Sequence, residues 1–274
     1  MPRAIRFHLC KLSIMNDTAT VLDSKSFLQK ATGFIWQHIL LVISLFIMTF
    51  GVALCIRSSL GSSVISTIPF VMSIAGEAGK LTSLTIGQWT YVMNCVLVAL
   101  QLLILRRMFQ PVQLFQLLIG FLFGWLLDVN VAITALIPLD NLITRILAQL
   151  LGCLILGAGI SFEIKCGSVT MPGEGLPAAI SRKSGLAFPK AKIMVDISLV
   201  VIAVAIGFFY FRTWLWNVVG PGTLFAMIFV GAVVKWITPR IAWFDRLLCY
   251  RPGFRRHLYG LARYLHTRRP NRGC

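Results

Sequence analysis

Charged side chains are scarce in this chain, and acidic ones most of all. Only 13% of its 274 residues are Asp, Glu, Lys or Arg, and just 9 are acidic. A water-soluble domain of this length carries about 25% charged residues, because its whole surface has to face water. The shortfall is matched by 57% hydrophobic residues, so much of the surface is expected to face hydrocarbon. That composition excludes a soluble enzyme. Patterned cysteine is absent as well. Cys10, Cys55, Cys95, Cys153, Cys166, Cys249 and Cys274 form no CxxC and no Cys/His group at metal spacing, so they read as small buried hydrophobes. No P-loop, HExxH, GxSxG or dinucleotide fingerprint occurs, and neither a cofactor nor a catalytic residue is expected. His8, His38, His257 and His266 are too dispersed for a metal site.

Long apolar runs are what the chain has instead. A helix needs about 20 apolar residues to cross the hydrocarbon core, where it satisfies its own backbone hydrogen bonds. Six runs have that length: Phe34–Ile56, Ile86–Leu105, Val112–Pro138, Ile143–Ile164, Ala191–Phe211 and Thr223–Pro239. Two shorter stretches, Val64–Ala75 and Gly175–Arg182, are expected to be short helices at or within the membrane. The first run is longer than a signal-peptide core and no small-residue cleavage site follows it, so it is expected to remain as a span. Trp36, Trp89, Trp214 and Trp216 stand at run ends, where interfacial belts form.

The net charge of +17 is distributed as a topology signal. With a cytoplasmic N-terminus and six spans, 22 of the 26 Lys and Arg fall on the inner side, and only Arg57, Lys80, Arg145 and Arg212 fall outside. That asymmetry obeys the positive-inside rule and places both termini in the cytoplasm of a bacterial inner membrane. The tail from 242 to 274 mixes Trp243, Phe244, Leu247 and Tyr250 with many Arg. It fits an amphipathic helix on anionic lipid, and nucleic acid is not expected as a partner.

The chain also repeats itself. Gly51 through Gly61-Ser62 aligns with Gly157 through Gly167-Ser168 at an offset of 106. Met93-Asn94 aligns with Val195-Asp196, with a Leu-Val pair following in each copy. Gly124 aligns with Gly231, and Asp128 with Lys235. Each half reads as span, Gly-rich break, short helix, span, span. Three spans per half is an odd number, so the second half enters the membrane from the opposite face. The expected fold is therefore all-α and polytopic: six transmembrane helices in two inverted three-helix repeats, each with a short broken or re-entrant helix. The organisation is a cytoplasmic N-terminal tail (1–31), a first repeat (32–138), a second repeat (139–241) and a basic cytoplasmic tail (242–274).

Inverted repeats with matched Gly/Pro breaks are the architecture of many secondary transporters. Irregular backbone is tolerated at membrane depth only where it lines a cavity or is buried in protein. The candidate solute-binding residues are therefore Gly61, Ser62, Gly167 and Ser168 in the breaks, Glu174 between Gly173 and Gly175, and the embedded repeat mates Asn94 and Asp196. Each has a structural alternative: the Gly-Ser segments as helix stops, Glu174 as a helix cap, Asn94 and Asp196 as interhelical clamps. Glu163 and Arg57 read as interface markers, and Lys235 as a snorkelling side chain. Gly120-x-x-x-Gly124 permits close helix packing, within the chain or in a homo-oligomer.

The segments Gly51-Val-Ala-Leu with Leu60-Gly-Ser-Ser, and Pro172-Gly-Glu-Gly-Leu with Lys190-x-Lys192-x-x-x-Asp196, resemble the YczE/YyaS/YitT group of bacterial membrane proteins over roughly residues 34 to 240. The resemblance implies a fold and no defined reaction, and transport is the usual guess for that group. Two functions are carried forward: a secondary transporter or permease of a small solute, and a non-transporting scaffold acting through partner contacts.

Overall fold

The structure is a computed structural model and describes residues 35–106, 111–166, 171–241 and 243–244. Both tails and the second Gly-Ser break, Gly167-Ser168, lie outside the described residues. By its contacts the chain divides into two units. In one, residues 1–40 with 245–274, the described part is the start of the first helix. The other, Leu41–Phe244, holds the rest of the fold.

Eight α-helices and no strand occur among the described residues. They are α1 (Ile35–Ser58), α2 (Thr67–Glu77), α3 (Ile86–Leu105), α4 (Phe115–Ala135), α5 (Leu142–Cys166), α6 (Pro172–Ser184), α7 (Phe188–Phe211) and α8 (Pro221–Ile237). The order long, short, long, long holds for α1 to α4, and α5 to α8 run long, short, long and then shorter. Five of them (α1, α3, α4, α5 and α7) are long and apolar enough to cross a membrane. The expected sixth span is α8, which has only 17 residues, short of the usual spanning length.

Local chemistry sets the boundaries. Thr85 and Gln88 form a reciprocal capping box at the start of α3. α6, α7 and α8 each begin with a Pro in the first turn, where its missing N–H costs nothing. α7 starts three residues before the apolar run because Lys190 and Lys192 lower hydropathy but not helix propensity. For the same reason α6 is longer than its apolar centre and ends at Gly185, whose φ of 74° is left-handed.

The burial pattern is that of a chain in lipid. Large apolar side chains face outward along the long helices, among them Leu103, Leu118, Phe121, Trp125, Val201, Phe209 and Ile228. Polar ones are buried instead: Ser44, Thr49, Asn94, Gln101, Gln116, Asn130, Gln149, Ser161 and Glu163. Water would impose the reverse. The molecule is a polytopic membrane protein that contacts lipid.

The contacts between α1 and α5 fix their relative direction. Going up α1, Ser44 Oγ is 3.7 Å from Cys166 Sγ, and a Cβ on Gly159 would fall 2.7 Å from Met48 Cα. Higher up, a Cβ on Gly51 would fall 2.7 Å from Gly152 O. Cys55 Sγ then meets Cys153 Sγ at 3.8 Å, and Ser58 Oγ meets Gln149 Oε1 at 2.6 Å. Residue numbers rise on one helix as they fall on the other, so α1 and α5 are antiparallel. The glycines let the backbones touch. On α4, Gly124 packs on Gly87 of α3 and Gly120 on Asn94, so Gly120-x-x-x-Gly124 serves packing within the chain.

The two short helices share their neighbours. α2 packs on α3 and α7, and α6 packs on the same two helices. Met93, Leu97, Leu176, Val195 and Leu199 form the shared core, with Val64, Ile65 and Ile68 packed against it.

Candidate functional site

The two backbone breaks define two polar junctions. At the first, α1 ends at Ser58, Ser59 takes a φ of 56°, and Gly61 takes a φ of 128°. The second angle favours glycine, and space demands it too, since a Cβ there would lie 2.6 Å from Thr223 Oγ1. The polar groups freed by the break are met by the start of α8. The Gly222 N–H donates to Leu60 O at 2.9 Å. Ser62 donates from its N–H and its hydroxyl to Val218 O, each at 3.0 Å. From α5, Gln149 accepts the Ser58 hydroxyl at 2.6 Å and donates Nε2 to Gly222 O at 3.0 Å. The sequence reading offered the Gly61-Ser62 backbone to a solute. In this conformation it is closed by protein partners.

At the second junction the described residues resume at Met171, the N-cap of α6. Its N–H donates to Glu163 Oε1 of α5 at 3.1 Å. Gln101 of α3 donates Nε2 to Pro172 O at 3.3 Å. Gly175, one turn on, lies under two amides: a Cβ there would come 2.7 Å from Gln101 Oε1 and 2.9 Å from Gln116 Oε1. Ile65, ahead of α2, packs against Gly173, so the starts of the two short helices meet. The carboxylate that meets this helix start is therefore Glu163, which the sequence reading placed at an interface. Glu174, expected as the cap, stands in the first turn and is half-buried.

Asp196 lies on α7 and accepts from Lys192 Nζ at 2.9 Å, with only 13% of its side chain exposed. Glu174 is within electrostatic reach of both Lys192 and Asp196, and Glu163 of Glu174. The structure thus gathers Glu163, Glu174, Lys192 and Asp196 around the start of α6. Asn94 stands apart from that group, packed against Gly120. It is fully buried, and neither end of its amide has a hydrogen-bond partner. Three further acceptors are buried without partners, Gln116 Oε1, Asn130 Oδ1 and Glu163 Oε2. Buried polar atoms are nearly always bonded, and each exception asks for a reason. The groove lined by Val71, Ala203, Gly207, Leu215 and Val218 is mainly apolar. Gly207 stands about 16 Å along α7 from Asp196.

Sequence reading passed over Gln101, Gln116 and Gln149, and quoted Lys192 only within the Lys190-x-Lys192-x-x-x-Asp196 pattern, without a role at the site. A signal was present for the three glutamines, each standing inside an apolar run. An amide in hydrocarbon needs a partner much as a charge does.

Asp128 has a structural task. Its Oδ2 accepts the Thr85 hydroxyl at 2.6 Å and its Oδ1 the Gly87 N–H at 2.8 Å, tying the start of α3 to α4. Arg57, at the end of α1, reaches the carbonyl of Ile137 just beyond α4 at 3.4 Å.

A model of a family of unknown function (DUF6198) matches residues 35–239. No curated protein and no solved structure matches the chain.

Proposed function

This chain belongs to DUF6198, a family of unknown function, and we propose that it is a secondary transporter or permease carrying a small polar solute between two oppositely oriented halves. The observation that carries this reading is the antiparallel packing of α1 on α5, together with α2 and α6 each packing on both α3 and α7. If residue i in one half is matched to i+106 in the other, α1 and α5 are mates, and an inverted two-fold requires mates at its axis to run antiparallel. The six-span, inverted-repeat arrangement with both termini in the cytoplasm of a bacterial inner membrane belongs to this proposal, with α8 as the shortest span. So does kinship with the YczE/YyaS/YitT group.

In this reading the two breaks are the gates. The Gly61-Ser62 junction is held shut by Val218 and Gly222, and it parts when the first gate opens. The second gate is the start of α6, where the Met171 N–H meets Glu163 and Glu174 stands in the first turn. Asn94 and Asp196 present polar groups between them, and a buried amide with no partner at either end suits a solute that carries both donors and acceptors.

The test is solute uptake by cells or proteoliposomes carrying Asp196→Asn and Glu174→Gln. The proposal expects each variant to lose most of the flux while remaining in the membrane. Full flux in both variants would remove these residues from the path. A stoichiometric partner protein and no flux of any solute would favour a scaffold role instead.

A further inference from the structure

The start of α6 gathers more carboxylates than the ammonium bonded among them neutralises. Glu163, Glu174 and Asp196 bring three carboxylates to this region, and Lys192 supplies one ammonium, bonded to Asp196. The first turn of α6 adds about half a positive charge. With all four groups ionised, roughly one and a half negative charges are left over in a largely buried place, where unpaired charge is expensive.

The hydrogen bonds give a second, independent sign. Glu163 Oε1 is used by the Met171 N–H, which accounts for a purely structural role as a cap for α6. Oε2 is not used, and neither is Gln116 Oε1. Glu163 is 5% exposed and Gln116 3%. Both orphaned atoms are acceptors. Only a donor or a cation can satisfy an acceptor, so an anion is the wrong occupant.

We propose that the start of α6 is the seat of a small cation, a proton or Na+, taken up by Glu163 and the oxygen of Gln116 beside Gly175. One cation brings the local charge close to neutrality and supplies the missing partner. The groups that face Glu163 and tune its occupancy are Glu174 from α6, Cys166 on its own helix, and, beyond Glu174, the Lys192–Asp196 pair of α7. Gln101 from α3 and Gln116 from α4 are neutral. The site also has a place in the proposed transport cycle, because Glu163 holds the second break to α5 through Met171. That placement rests on the transport reading, whereas cation binding is measurable without any flux.

The experiment uses the purified full chain in nanodiscs. In one arm NaCl replaces choline chloride at constant ionic strength and the thermal midpoint is followed. In the other, pH-difference infrared spectra report a protonated carboxyl. A Na+ site predicts a saturable rise of the midpoint, lost in Glu163→Gln and shifted at least tenfold to higher Na+ in Gln116→Leu. A proton site predicts no Na+ response, a carboxyl band missing from Glu163→Gln, and a shift in that band's titration in Gln116→Leu. Gln116→Leu keeps the carboxylate and serves alone if Glu163→Gln fails to fold. The proposal is overturned if wild type shows neither response, or if Gln116→Leu titrates as wild type does. Uptake plays no part in these readouts, so failure of the transport reading would be seen separately.

Discussion

At the scale of single residues, the polar atoms held between the helices fall into two kinds, those with a partner and those without. Asp128 is the clearest of the first kind. Both of its oxygens accept, from Thr85 and from Gly87, and each bond ties α3 to α4. Asp128→Ala leaves the first turn of α3 without this support. It is expected to lower stability by about 1–2 kcal/mol, the usual cost of a lost cap, read as a drop in the thermal midpoint in detergent. An unchanged midpoint would show that the capping box of Thr85 and Gln88 suffices alone. Both ends of the Asn94 amide, Gln116 Oε1 and Glu163 Oε2 are of the second kind. Sequence alone separates these kinds poorly. Asn94 and Asp196 were legible as embedded polar mates, but the partner of Asp196 is Lys192, four residues back on the same helix, and that of Asn94 is missing. Glu163 looked like an interface marker because Lys165 follows it closely. Its burial comes from α1 and α6, which no local pattern reveals.

At the scale of helices, glycine decides how closely elements approach. Gly51 and Gly152 face each other across α1 and α5, and Gly87 faces Gly124 across α3 and α4. In lipid the hydrophobic effect does not drive helices together, so close van der Waals contact carries more of the association. Gly51→Val forces the α1–α5 crossing apart and is expected to cost about 1–3 kcal/mol, seen as reduced yield and a lower thermal midpoint. Gly231→Val serves as the control, because a Cβ there meets nothing within 4 Å. The crossing can also be read chemically. Cys55 and Cys153 are 3.8 Å apart at one end, and Ser44→Cys would sit opposite Cys166 at the other. Mild oxidation is expected to cross-link both pairs, which no parallel arrangement of α1 and α5 permits. The helices themselves were largely visible in the sequence, since apolar runs of this length have few other uses. Their ends were less so, because charge interrupts hydropathy at Lys190 and Lys192 without interrupting the helix. α8 shows the same limit at its ends: the helix runs from Pro221 to Ile237, two residues ahead of the apolar run from Thr223 to Pro239.

At the scale of the whole molecule, an apolar exterior and a polar interior establish a membrane protein, and the proposed function adds that it is built from two comparable halves. The offset of 106 between Gly51 and Gly157 is a pattern of the sequence alone, since in the fold Gly51 packs on α5 and Gly157 on Val233 of α8. The packing of α2 and α6 on the same pair of helices was not readable, since it depends on contacts far apart in the chain. The central claim is that the halves face opposite ways, and sided labelling tests it most directly. In a cysteine-free background, Lys80→Cys in the connection before α3 and Lys183→Cys at the end of α6 occupy comparable places in the two halves. A membrane-impermeant thiol reagent applied to oriented vesicles is expected to label them from opposite faces. Labelling of both from the same face would contradict the inverted arrangement, and the carrier reading with it.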